Sequence, residues 1–262
     1  MCYGQRLHIV QVGQCRMNNQ DSMGFGAQGN PLCTGVALPY VLTCIKPSNL
    51  PRLNNPPLLL IVGDHLMLQI RIHGRGGQGV VTAAEMLSVA AFEQGRHAQA
   101  FPSFGSERTG APVIAFCRMD DQPIRLREPI LAPDVLIVQD PTLLHQVDVF
   151  QGLQPDGYVL INSQRSFHDL GLADMEARFR RERLTTLPAS DIARKHLGRP
   201  LPNAVLLGGF AALSGLITLD AVAHAIRSRF TGKVADGNVA AATEAYAYIQ
   251  REMQELAHAQ TN

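Results

Sequence analysis

The residues best placed to do chemistry stand at 70–79, IRIHGRGGQG. Gly74, Gly76 and Gly79 fall at the spacing G-x-G-x-x-G, between a short apolar run and a long, helix-like one. Glycines at a strand-to-helix turn let backbone N–H groups approach an anion, and the helix N-terminus adds partial positive charge. The ligand this suits is a phosphate, although a tight turn without a ligand can use the same residues. Gly76, Gly77 and Gly79 would allow the close approach, and Gln78 can donate from its side-chain amide.

Two familiar nucleotide sites fit poorly. An NAD site needs an Asp or Glu at the end of the second strand, roughly 20 residues on, to hold the ribose hydroxyls. The second strand here reads HAQAF, 97–101, with no carboxylate; Glu93 falls too early and Glu107 too late. A P-loop needs Lys and Ser/Thr after its last glycine, and Val80 and Val81 stand there instead. A second unusual stretch, QAFPSFGSERTGAPV at 99–113, lies just beyond the second strand. Ligands gather at that edge of an open α/β sheet. Arg108, with the Ser103 and Ser106 hydroxyls, is a candidate to complete an anionic site or a subunit contact. Glu107 and Arg108 can equally be a solvated pair. His73 could face a ligand or serve as a satisfied structural donor, and Ser163 and Asp140 end strands at the same edge.

The elements that must position these residues alternate from Met67 onward. Strands are expected at Leu68–His73, His97–Phe101, Val113–Met119, Val135–Gln139, Tyr158–Asn162 and Leu184–Leu187. The run VLIVQ is apolar almost throughout, as for a central strand covered on both faces. Helices are expected at Val80–Gln94, near Asp191–Leu197, and over Asn203–Leu216, Leu219–Phe230 and Asn238–Ala257, with Asn203 a candidate cap. This is the pattern of an α/β protein: a three-layer αβα, Rossmann-like domain over 67–258, with a mixed or mostly parallel sheet and a helical C-terminal part.

Residues 1–66 differ. Of 23 basic and 22 acidic residues only six fall there: Arg6, Arg16, Asp21, Lys46, Arg52 and Asp64. The segment is rich in Asn, Gln, Gly and Pro and shows no sustained periodicity, so it is expected to be an irregular extension, disordered or upstream of the native start at Met67. A real appendage that docks on a partner is the alternative.

The net charge of +1 gives no broad electrostatic footprint for nucleic acid, and no stretch reaches the ~18 apolar residues of a membrane span. The five cysteines, Cys2, Cys15, Cys33, Cys44 and Cys117, include no C-x-x-C, so neither a cluster nor a structural zinc site is expected. Free thiols in a reducing, cytoplasmic compartment fit, with Cys117 a buried apolar residue. The RFRRER run at 178–183 reads as a solvated basic face or subunit rim.

Taken in order, IHGRGGQGVVTAAEML, AQAFPSFGSERTGAPVIAFCR, PNAVLLGGFAALSGL and AIRSRFTGKVADGNVAAATEAY resemble the gamma subunit of the pyruvate (2-oxoacid):ferredoxin oxidoreductase family, over about residues 67–250. The resemblance implies a multi-subunit enzyme that oxidatively decarboxylates a 2-oxoacid with CoA, giving acyl-CoA, CO2 and reduced ferredoxin. It places thiamine diphosphate, Mg and the [4Fe–4S] clusters on partner chains, the alpha, beta and ferredoxin-like delta subunits, and makes ferredoxin or flavodoxin the electron acceptor. It associates the gamma chain with CoA, and pyruvate is the 2-oxoacid that QAFPSFGSERTGAPV favours. This chain then carries no catalytic or metal-binding residue of its own and is inactive alone; Gly76, Gly77, Gln78, Gly79 and Arg108 are its expected CoA-binding residues. The competing readings are a scaffold subunit that binds no ligand and, disfavoured by the missing acid, an NAD-type dehydrogenase.

Overall fold

Six strands form one mixed sheet in the order β2-β3-β1-β4-β5-β6, in a computed structural model that describes residues 67–103 and 109–261. The expectations for 1–66, and those for Ser106, Glu107 and Arg108, lie outside the described residues. The strands are β1 (Leu68–Arg75), β2 (His97–Pro102), β3 (Pro112–Asp120), β4 (Val135–Val138), β5 (Tyr158–Asn162) and β6 (Leu184–Leu187). The helices are α1 (Val80–Glu93), α2 (Ala173–Arg178), α3 (Ala189–Leu197), α4 (Asn203–Ser214), α5 (Leu219–Arg229) and α6 (Gly232–Thr261).

β1 pairs in parallel with β4, β4 with β5, and β5 with β6. β3 runs antiparallel to both β1 and β2, so it is the single reversed strand. This insertion bears on the NAD reading. The strand beside β1 on that flank begins, rather than ends, at the sheet's carboxyl edge. The end of β2 is displaced one strand further from the glycine turn, so the missing ribose acid has no adjacent position to occupy.

The two sheet faces are covered unequally. α1, α3, α4, α5 and α6 lie on one face, over a core that includes Ile70, Ile72, Ala115, Cys117, Val135 and Ile137. The other face carries short segments: Leu143, Val149, Phe167 and Leu170 pack on Leu136, Val138, Val159 and Ile161. Helix α4 is buried on nearly every side. A side chain at Gly208 would collide with the Ala242 carbonyl, so glycine there lets α4 and α6 approach backbone to backbone. α6 starts at Gly232, six residues before the expected start. Gly237 inside it packs against Leu197, where a Cβ would come within 2.8 Å of that Leu side chain. Gly237 is therefore a packing contact within the helix.

Candidate functional site

The glycine turn links the end of β1 to α1, and each glycine has its own reason. A Cβ on Gly74 would lie 2.6 Å from Val80 Cγ2, so glycine permits the tight strand-to-helix reversal. Gly77 and Gly79 have φ of +96° and +72°, the left-handed region. Gly79 is the N-cap of α1 and supplies no capping side chain. Helix geometry leaves the first-turn N–H groups without intrahelical acceptors, so they are available to an external anion. Gly76 is engaged differently. Its N–H donates to Ala111 O at 2.9 Å, and its carbonyl accepts from Gly110 N at 3.1 Å, which ties the turn to the start of β3.

Gln78 folds back onto the sheet edge. Its Oε1 accepts from Arg75 N at 2.8 Å, and its Nε2 donates to Asp140 Oδ2 at 2.8 Å. Asp140, just after β4, also accepts from Arg75 Nε at 3.1 Å, Thr142 N at 3.0 Å and Thr142 Oγ1 at 2.6 Å. Burial alone would raise the Asp140 carboxyl. Hydrogen bonds from Thr142 and Gln78 and the Arg75 charge outweigh it and hold the group below its ordinary value. Arg75 extends further, to Gly110 O at 3.0 Å and Gln146 Oε1 at 2.9 Å. The shape of the glycine turn is thus fixed from β4 as much as from its own sequence.

Gly77 and Gly79 open onto a cleft of about 450 Å³. Thr82 of α1, Arg199 and Leu201 of the α3–α4 link, Asn203 of α4, Arg229 and Phe230 at the end of α5, and Asn238 of α6 line it, and no carboxylate does. Arg199 and Arg229 are exposed, and among the described residues neither guanidinium has a hydrogen-bond or ion-pair partner. Asn203 is 6% exposed. Its Nδ2 would sit 2.5 Å from a Cβ on Gly79, which is a second reason for that glycine. Its Oδ1 accepts from Ala204 N at 2.9 Å, while its Nδ2 has no hydrogen-bond partner among the described residues. Asn203 is therefore the first residue of α4, behind Pro202 at the N-cap, and not the cap expected from sequence. The cleft offers backbone amides, one amide side chain and two guanidinium groups, a set suited to a phosphorylated ligand.

The structure gathers the sequence candidates only in part. Gly77 and Gly79 line the cleft, while Gly76 and Gln78 use their polar groups to hold the turn. Arg108 lies outside the described residues. His73 is not a satisfied donor: it is buried and its Nε2 has no partner. Burial, then the neighbouring Arg71 charge, pushes it down to about 4. Cys117 is buried, and burial pushes its thiol up to about 12, which leaves it inert. Arg180 and Arg181 pair with Asp156 and Glu176, as a solvated basic face would. Among the described residues no group of three His, Cys, Asp or Glu could hold a metal, and no helix is long and apolar enough to cross a membrane.

Arg199, Arg229 and Asn238 escaped the sequence reading. They lie in three separate segments, 120 or more residues after the glycine turn. Only the fold brings them to one place; the one local hint was the R-P-L-P-N run that opens α4.

The family described as pyruvate ferredoxin/flavodoxin oxidoreductase matches residues 69–248. The pyruvate synthase subunit PorC of Methanothermobacter marburgensis is 47% identical over 180 residues, covering 69% of this chain and 96% of the relative. The pyruvate/ketoisovalerate oxidoreductases common subunit gamma of Pyrococcus abyssi is 45% identical over 185 residues, covering 70% and 98%. Among solved structures, the pyruvate oxidoreductase subunit PORC from Thermotoga maritima superimposes with a TM-score of 0.59 and 34% identity, over 69% of this chain and 96% of the other.

Proposed function

The chain belongs to the pyruvate ferredoxin/flavodoxin oxidoreductase family as a gamma-type subunit, and on that premise we propose that it supports CoA-dependent oxidative decarboxylation of a 2-oxoacid, pyruvate first. The names of its relatives favour pyruvate. In this reading thiamine diphosphate, Mg and the [4Fe–4S] clusters reside on alpha, beta and delta partners in the cytoplasm, and ferredoxin or flavodoxin takes the electrons. This chain's part is binding. The Gly77 and Gly79 turn and the first turn of α1 receive an anionic group of CoA, Gly76 and Gln78 hold the turn in shape, and Arg108 is the further cation that the sequence offers to the same ligand.

The observation that carries this reading is the carboxylate-free cleft at the start of α1, which Gly77 and Gly79 line together with Asn203, Arg199 and Arg229.

The test is reconstitution. The chain purified alone should hold no iron and should not reduce viologen with any 2-oxoacid. Co-expressed with alpha, beta and delta chains it should copurify and restore CoA-dependent activity. Activity of the isolated chain, or full CoA-dependent activity of a complex lacking it, would overturn the proposal.

A further inference from the structure

The glycine turn and one helix N-terminus together supply a few N–H donors and roughly half a positive charge, enough for one phosphate. The cleft holds much more. Arg199 and Arg229 add two full positive charges, unpaired among the described residues, and no acidic residue lines the space to balance them. They arrive independently. Arg199 sits in a link stiffened by Pro200 and Pro202, between Gly198 at the end of α3 and the start of α4. Arg229 is the last residue of α5. Nothing in the packing of one helix forces both to the same cleft. Both guanidinium groups line one cleft that no carboxylate lines, so together they favour a ligand group of high negative charge there.

A phosphomonoester is such a group. It carries about −1.5 to −2 at neutral pH and three acceptor oxygens, and paired guanidinium forks match that geometry. Each phosphoryl group of a diphosphate diester carries less charge than a phosphomonoester and suits the backbone turn. Phe230, half-buried, and Leu201 add apolar surface to the cleft. We infer that Arg199 and Arg229 are specificity-determining residues that grip a terminal phosphomonoester on the ligand's ribose, separately from the phosphate received by the glycine turn. The chain then discriminates CoA from the same molecule lacking its 3′-phosphate. This inference rests on the reading that CoA occupies the cleft.

The experiment uses the assembled complex with the paired substitution Arg199→Gln/Arg229→Gln, alongside Arg199→Lys/Arg229→Lys and Gly77→Val. Each complex is assayed with CoA and with dephospho-CoA, and titrated with adenosine 3′,5′-bisphosphate as a competitive inhibitor. For the Gln pair, kcat/KM for CoA should fall about tenfold to a hundredfold, and its ratio to the dephospho-CoA value should collapse toward one. The bisphosphate should lose its inhibition to a similar degree. The Lys pair, which keeps the charge, should recover part of both. If Gly77→Val raises the KM for CoA while the Gln pair leaves the CoA to dephospho-CoA ratio intact, this inference is wrong and the CoA site stands. If neither substitution moves the CoA KM in an intact complex, the CoA site itself is wrong.

Discussion

Gln78 and Asp140 are hydrogen-bonded at 2.8 Å although 62 residues separate them, and through this contact β4 holds the glycine turn. The other end of the same amide accepts from Arg75 N, so a single side chain bridges the turn's first residue to the neighbouring strand's end. The bridge holds the turn from β4, as the Gly76 bonds to Ala111 and Gly110 hold it from β3.

Asp140→Ala should therefore weaken CoA binding without touching the cleft. It removes the acceptor of Gln78 and of Arg75 Nε and leaves both donors loose at a half-buried edge. The expected outcome is a severalfold to tenfold rise in the KM for CoA, corresponding to roughly 1 kcal/mol, with little change in the KM for the 2-oxoacid. Asp140→Asn, which keeps one acceptor oxygen, should fall between the variant and the wild type. Because the Asp140 carboxyl is held below its ordinary value, its stabilising contribution is present at neutral pH and lost as pH falls through the lowered value. Urea unfolding at neutral and at acid pH should show Asp140→Ala losing less than the wild type on acidification.

His73 predicts a second acid effect, of different origin. Its imidazole titrates at about 4 in the folded chain against about 6.5 when unfolded, because burial and Arg71 oppose the charged form. The unfolded state binds the proton first on acidification. Stability is therefore intact above about pH 6.5 and falls progressively toward pH 4, by roughly 3 kcal/mol at the limit. His73→Leu removes the titrating group and an unpartnered buried nitrogen together. It should be neutral or stabilising at pH 7 and should flatten the pH dependence between 4 and 6.5. An unchanged acid slope in the variant would show that His73 does not titrate in this way.

The strands were legible in the sequence because VLIV and the VLI of YVLIN are apolar runs, and α1 because Ala83, Ala84, Leu87, Ala90 and Ala91 recur on one side. Direction was not. Val113–Met119 reads as a strand whichever way it runs, and only its pairing with Leu68–Arg75 shows that it is reversed. The glycine turn was legible as a turn, yet the division of labour within it was not. Gly76 donates to Ala111 and Gln78 to Asp140, contacts made by residues 35 or more positions away. Arg199 and Arg229 are ordinary surface arginines until the α3–α4 link and the end of α5 meet at the start of α1.

Gly208 offers a test of the helical layer. Any side chain there meets the Ala242 carbonyl of α6, which is backbone and cannot rotate away. Gly208→Val should force α4 and α6 apart and cost about 3 kcal/mol or more, the upper part of the range for overpacking. Gly171→Val is the comparison, since Gly171 faces open space, although its φ of +75° is itself unfavourable to valine. The urea midpoint should fall much further for Gly208→Val; equal losses would mean that helix separation is not the limiting contact.

The glycine turn can be tested against backbone strain by a matched pair. Gly77 and Gly95 lie at opposite ends of α1, with φ of +96° and +76°, and a Cβ at either would meet nothing within 4 Å. Valine at each position suffers a comparable left-handed penalty, about 1–2 kcal/mol. Both variants should therefore lower the melting temperature of the complex by similar amounts. Their effects on CoA should part. The new side chain at Gly77 projects where the cleft opens and keeps an anion from the turn's amides, whereas Gly95 lies at the far end of the helix, after Gln94. Each lost hydrogen bond to a charged group is worth ~1.5–3 kcal/mol, or roughly tenfold to a hundredfold in affinity. The KM for CoA should rise by that factor in Gly77→Val and stay near the wild-type value in Gly95→Val, with the 2-oxoacid KM unchanged in both. Equal CoA constants in the two variants would remove the glycine turn from the CoA site and leave it as a structural reversal between β1 and α1.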